Sequence, residues 1–300
     1  MMKSNVLSFL LLVIVSSLTA QTSSHSYYHV NETSLELDIY KSLSDSAPLI
    51  IFVHGGGFIG GSKKHKLYSS FFKQLNASGI DVVSIDYSKP LLGQKFHCDQ
   101  TSANKLMAFG YAARDIRRAT NWLLSNAGRI GISSSDMWLC GSSAGAEALL
   151  FELFGKHEPG GDELPADFSF SGYISLAGAA TDLNKINTSN AIPGLLIHGS
   201  CDALVPLGTA IHHYCPEDRA GALLLHGPES IANKYDSLGK DYQFILHCGA
   251  KHSVAIEAMT DNIKQIVKFV KSGGIVKNKR VVIGDSQDCY FSGSASCNDH

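Results

Sequence analysis

The sequence has almost no charge imbalance. Its 25 Lys and Arg stand against 27 Asp and Glu, a formal net charge of -2. Apart from a small group at Lys277, Lys279 and Arg280 there is no basic block or stripe, so the surface that neutralises phosphates is missing and no nucleic-acid partner is expected. Long apolar runs are equally scarce. After residues 6–15, no segment approaches the about 20 residues that span a bilayer, which argues against stable membrane insertion. Internal repeats and low-complexity linkers are absent, leaving one large domain with a substantial core. Metal-ligand spacing is also absent. Cys248 with His252, and His212 with His213, are isolated pairs without a third ligand at useful spacing, so no metal is expected.

The first twenty residues read as something other than fold. Lys3 supplies a positive start, residues 6–15 an apolar run too short to span, and residues 16–20 small side chains for cleavage, the pattern of a secretory signal. This divides the chain into a signal over 1–20, one main domain over 21–274 and a C-terminal extension or tail over 275–300, with a secreted, periplasmic or extracellular location. Export reframes the seven cysteines as disulfide material. Cys140 reads as a free thiol on a buried strand. Cys98, Cys201, Cys215, Cys248, Cys289 and Cys297 remain, and the expected pairs are Cys289 with Cys297 across a short tail loop and Cys201 with Cys215 around one loop–helix segment. Sequons at Asn31, Asn76 and Asn187 would serve only in a host with glycosylation machinery.

What is present is an alternation of strand and helix patterns. Residues 33–40 alternate apolar and polar, as an exposed edge strand does. Residues 48–53 and 80–85 are solid apolar runs, as in strands buried on both faces. Further strands are expected over 137–140, 170–176, 193–197 and 242–247. Helices are expected over 66–77, 112–126, 144–154, 207–214, 228–238 and 256–270, and 88–102 reads as irregular. The alternation specifies an α/β fold, with a mostly parallel sheet covered by helices on both faces. No segment is large enough for a lid domain.

Residues 139–146, Leu-Cys-Gly-Ser-Ser-Ala-Gly-Ala, form a strand, a small-residue turn and a helix start. The G-x-S-x-G frame puts Ser143 at the apex of a sharp, strained turn, at a helix N-terminus where developing negative charge is favoured. A serine hydroxyl needs a base, and the base an orienting carboxylate. His252 and Asp202 each lie just beyond a strand, at the sheet edge that presents Ser143; His247 and Asp182 are the fallback choices. Acyl transfer also needs donors for the developing oxyanion, each worth about 3 kcal/mol. The N–H groups of Gly56 and Gly57, in the run His54-Gly55-Gly56-Gly57-Phe58, and of Ala144 are the candidates. His54 is expected to brace the glycine loop rather than react.

Four motifs carry a resemblance: HGGGF at 54–58, GSSAGA at 141–146, HGSCDALVP at 198–206 and GAKH at 249–252. From residue 35 to 270 the chain resembles an α/β-hydrolase of the esterase/lipase branch with an HGGG loop. It is most similar, over 48–150, to carboxylesterase and feruloyl-esterase-like enzymes related to hormone-sensitive lipase. The resemblance implies a two-step acyl-enzyme mechanism without cofactor. Ser143 would be the nucleophile, His252 the base, Asp202 the orienting acid, and Gly56, Gly57 and Ala144 the oxyanion donors. Ser142 departs from the acidic residue usual before the nucleophile, and Ser88 stands where Arg often follows Asp-Tyr. The missing lid favours short-chain or aryl esters over long-chain fat. Secretion fits acetyl or feruloyl groups on polysaccharide. Phe58, Tyr87 and Ser142, with the loop over 91–96, are the expected substrate contacts.

Three rivals are weaker. Gly55-x-Gly57-x-x-Gly60 followed by Asp86 imitates a dinucleotide fingerprint, but residues 61–65 stay loop-like where a helix should open. A noncatalytic relative of the fold, or a peptidase on it, leaves either the complete triad or the missing extra domain unexplained.

Overall fold

A computed structural model of the chain describes residues 22–30, 33–156, 162–277, 279–284 and Cys297. The expected signal over 1–20, the Asn31 sequon and Cys289 lie outside them. Eleven strands alternate with six α-helices among the described residues: β1 (Thr22–Val30), β2 (Thr33–Tyr40), β3 (Leu49–Val53), α1 (Lys66–Ala77), β4 (Asp81–Ile85), α2 (Ser102–Ile130), β5 (Met137–Ser142), α3 (Ala144–Phe154), β6 (Gly172–Leu176), β7 (Gly194–Gly199), β8 (Thr209–Ile211), β9 (Leu224–His226), α4 (Pro228–Leu238), β10 (Tyr242–His247), α5 (Val254–Asp261), α6 (Ile263–Lys271) and β11 (Arg280–Ile283).

Nine strands make one sheet in the order β1-β2-β4-β3-β5-β6-β7-β10-β11. From β4 to β11 every pairing is parallel; β2 is antiparallel to both β1 and β4. The fold is an α/β-hydrolase fold: a mostly parallel central sheet with helices on both faces, and no large lid domain among the described residues. The period of two sorts β3 between the two faces. Leu49, Ile51 and Val53 enter the core under α2, α3 and α4, while Ile50 and Phe52 pack with Phe71, Phe72 and Trp138 under α1, α5 and α6. Burying each large apolar side chain contributes about 1.5–3 kcal/mol, so this double-sided core holds the strand ends in place.

Several expectations are corrected. β2 is not an edge, because β1 pairs along it and supplies the outer strand. α2 starts ten residues earlier than the periodicity suggests: Thr101 caps it, accepting from the Asn104 N–H, and Gly131 ends it in the left-handed region. Residues 207–214 do not form an α-helix. The β-branched Thr209 and Ile211 lie in β8, paired with β9, and a 3-10 turn over His212–Tyr214 follows. The last helix is two helices, α5 and α6. They part at the buried Asn262, whose Oδ1 is hydrogen-bonded by His247 Nε2 at 2.8 Å. Within the C-terminal extension, residues 280–283 form β11, a parallel strand on β10. The cysteine pairs differ too: Cys98 bonds Cys215 and Cys248 bonds Cys297, with Cys201 also disulfide-bonded and Cys140 free and buried. Asn76 cannot serve as a glycan acceptor, since it is buried and its Nδ2 donates to Tyr40 O and Ile80 O. No helix of the described residues is long and apolar enough to cross a membrane.

Candidate active site

The site assembles at the C-terminal ends of the parallel strands, where the loops of an open sheet converge. β5 ends at Ser142 and α3 begins at Ala144, so Ser143 is the sole joint between them. Its backbone sits at φ 53°, ψ -122°, a conformation costing on the order of 1–3 kcal/mol that persists only where neighbours over-determine it. They do so here. The Ser143 N–H donates to Leu176 O at 2.8 Å, and Ser143 O accepts from Ala146 and Glu147 at 2.7 and 3.0 Å. Gly145 is obligatory because any Cβ there would collide with Val53 O.

Ser143 Oγ lies 2.7 Å from His252 Nε2, and His252 Nδ1 lies 2.7 Å from Asp202 Oδ2. His252 follows β10 and Asp202 follows β7, neighbouring strands in the sheet. Asp202 Oδ1 accepts from the N–H groups of Leu204 and Val205 at 2.9 and 3.0 Å, which fixes the carboxylate plane. Burial pushes the Asp202 carboxyl up, but the His252 hydrogen bond and the neighbouring His198 and His252 hold it below the ordinary carboxylate value. For His252, burial acts downward, yet the bond to Asp202 and the charge of Asp202 raise it above an ordinary imidazole. The arrangement can therefore take a proton from Ser143 and stabilise the imidazolium that results.

The glycine loop lies against this elbow. A Cβ at Gly55 would stand 3.4 Å from Ser143 Cβ. Gly56 turns at φ 129°, open only to glycine, and Gly57 at φ 59°. The N–H groups of Gly56, Gly57 and Ala144 donate no hydrogen bond among the described residues, so all three remain free for a ligand oxygen. His54 braces the loop: its Nδ1 is 2.7 Å from Gly55 O, and its ring stacks on Tyr87, whose hydroxyl donates to His54 O.

The three expected substrate contacts are occupied by the protein itself. Phe58 is fully buried against Phe96 and Phe109; Tyr87 is spent on His54; and Ser142 Oγ donates to Ala255 O at 2.8 Å, tying the elbow to α5. The fallback residues are engaged elsewhere, Asp182 with the Asn184 N–H and His247 with Asn262. Three buried polar residues to which the sequence assigned no part in the site stand beside the triad: His198, 3.4 Å from Asp202; Glu147, one turn beyond Ser143; and His212, 3.1 Å from Glu147. Only the spacing of Glu147 from Ser143, four residues on one helix face, was legible beforehand. No group of three or more His, Cys, Asp or Glu among the described residues could hold a metal ion.

Residues 37–159 match the family model BD-FAE. Gut esterase 1 of Caenorhabditis briggsae is 30% identical over 181 residues, covering 60% of this chain and 30% of that protein. Esterase B1 of Culex pipiens is 30% identical over 125 residues, 41% of this chain and 22% of that one. The chain thus spans less than a third of the length of either relative. Among solved structures, the propionate-bound esterase Est2 of Thermogutta terrifontis superposes with a TM-score of 0.60 at 16% identity, over 87% of this chain and 97% of its own. A truncated carbohydrate esterase from gut microbiota gives 0.58 at 17% identity, over 85% and 97%.

Proposed function

We propose that this chain, an α/β-hydrolase by fold with a BD-FAE segment across residues 37–159, is a serine carboxylic-ester hydrolase working through an acyl-enzyme. The observation that carries the reading is the relay of two 2.7 Å contacts from Ser143 to His252 to Asp202, on a strained elbow beside unused N–H donors. His252 Nε2 accepts the Ser143 proton as Oγ attacks the ester carbonyl. The N–H groups of Gly56, Gly57 and Ala144 receive the oxyanion. His252 then gives its proton to the departing alcohol, leaving an acyl group on Ser143. Water, activated by the same imidazole, releases the acid.

The substrates we assign are short-chain or aryl esters, as small molecules or attached to polymer, including acetyl and feruloyl groups on polysaccharide. The absence of a large lid among the described residues supports this, as do relatives described as esterases and a structural neighbour described as a carbohydrate esterase. A secreted location rests on the sequence of residues 1–20 and agrees with the disulfides.

The test is hydrolysis of p-nitrophenyl esters of increasing acyl length. The wild type should prefer short acyl groups, and Ser143→Ala should fall toward background, a loss on the order of a millionfold. An organophosphate should label Ser143 stoichiometrically, as read by peptide mass spectrometry. A folded wild type that neither hydrolyses any ester nor takes the label would sink the reading.

A further inference from the structure

Glu147 lies one turn into α3, on the helix that Ser143 opens, and is 3% exposed. Facing it is His212, 1% exposed, with Nε2 3.1 Å from Glu147 Oε1. His212 belongs to the turn after β8, and this turn reaches back to the acid. The His213 N–H donates to Leu204 O at 2.9 Å, and the Leu204 N–H donates to Asp202 Oδ1 at 2.9 Å. The same turn is fixed from behind: the His212 N–H donates to Leu223 O at 2.8 Å, and Cys215, three residues on, is bonded to Cys98. A short path of contacts therefore runs from the nucleophile's helix, through Glu147 and His212, to the carboxylate of Asp202.

We propose that Glu147 and His212 are a buried positioning pair that locks the Asp202 loop to the nucleophile helix, a role that rests on the serine-esterase reading above. Neither residue touches the reacting atoms. Burial pushes the Glu147 carboxyl up to about 8, and burial with Lys105 pushes the His212 ring down to about 3. At neutral pH the pair is uncharged, so the close contact of Glu147 Oε1 with His212 Nε2 places no second anion behind the triad. The surrounding ionisable groups fit this state. They are Lys105 on α2, whose Nζ is spent on Gly221 O, Asp202 and His252 on their loops, Tyr87 after β4, and His97 and His213 beside the ring.

Two readouts test the pair. In kinetics, Glu147→Leu and His212→Phe should lose about 10- to 100-fold in kcat, the scale of a small misplacement of reacting groups, with KM nearly unchanged. Glu147→Gln, which keeps a hydrogen-bonding side chain of the same shape, should recover most of kcat. In proton NMR, the low-field signal of the His252 Nδ1–H on Asp202 should be present in the wild type and in Ser143→Ala. It should broaden or vanish in Glu147→Leu and His212→Phe. The NMR readout needs no turnover, so it decides the pair even if the wild type hydrolyses nothing, an outcome that would count against the esterase reading alone. Should Glu147→Leu not fold, His212→Phe, which keeps the ring volume, decides the question by the same two readouts. Full kcat together with an unchanged His252 signal in the folded variants would overturn the proposal.

Discussion

Asp202 holds its charge in a buried setting because four groups compensate for the lost water: His252, His198 and the N–H groups of Leu204 and Val205. The consequence for His252 has a definite sign. The imidazole must be neutral to accept the Ser143 proton, and its pKa lies above the ordinary value of about 6.5. The acid limb of kcat/KM should therefore sit above that value. Asp202→Asn removes both the charge and the bond that raise His252, so the limb should move down while kcat falls about 10⁴-fold. A pH–rate profile of the two proteins checks both, and a limb that stays in place in Asp202→Asn would contradict the assignment. The residue scale also sets what a motif scan misreads. Asn76 satisfies a sequon, yet it is inside the fold with both amide hydrogens in use.

The glycine loop depends on an element-scale anchor. Lys63, just past the loop, is buried and donates from Nζ to Asp38 Oδ1 on β2 at 2.7 Å. Its N–H donates to Asp86 and its carbonyl accepts from Ser84 Oγ, both at 3.0 Å. Loop, β2 and β4 are thus joined at one residue. Breaking a buried pair from one side leaves the other charge uncompensated, which costs about 3–5 kcal/mol. Lys63→Met should lose stability on that scale in urea unfolding, whereas Lys63→Met with Asp38→Leu should regain most of it. Equal losses in both variants would mean that packing, not the charge pair, holds the loop.

At the scale of the whole molecule, two features set stability. Cys98 and Cys215 are 117 residues apart in sequence, and closing a loop of that order restricts the unfolded chain by about 4–5 kcal/mol in the chain-entropy account. Replacing both with Ala should lower the unfolding free energy by about 2–5 kcal/mol. The second feature is pH. His212 and His213 are held neutral by burial, at about 3 and about 2. Their folded pKa values are depressed, so protons bind the unfolded chain more readily. This destabilises the fold as pH falls from about 6.5 toward 3. Glu147 and Glu152, raised to about 8 by burial, act in the opposite sense, and their stabilisation is lost as pH rises from about 4.3 to 8. His212→Phe should flatten the acid side of the Tm-against-pH curve. An unchanged slope there would show that other groups govern acid unfolding.

The sequence by itself determined the central strands of the sheet and the chain order of the candidate site residues. Solid apolar runs such as Leu49–Val53 can only be strands covered on both faces, and α3 had to begin where a serine between glycines ends β5. Ser143, Asp202 and His252 were legible because each lies just past a strand, a purely local signal. Tertiary structure alone decided what depends on partners distant in the chain. β2 became interior because β1 covered it, residues 209–211 became a strand because β9 was there to pair with, and Cys215 bonded Cys98 rather than the nearer Cys201. The burial of Phe58, Tyr87 and Ser142, and the meeting of Glu147 with His212, belong to the same class. Hydrophobic periodicity reports which face a residue turns inward, but only the folded packing determines what stands opposite it.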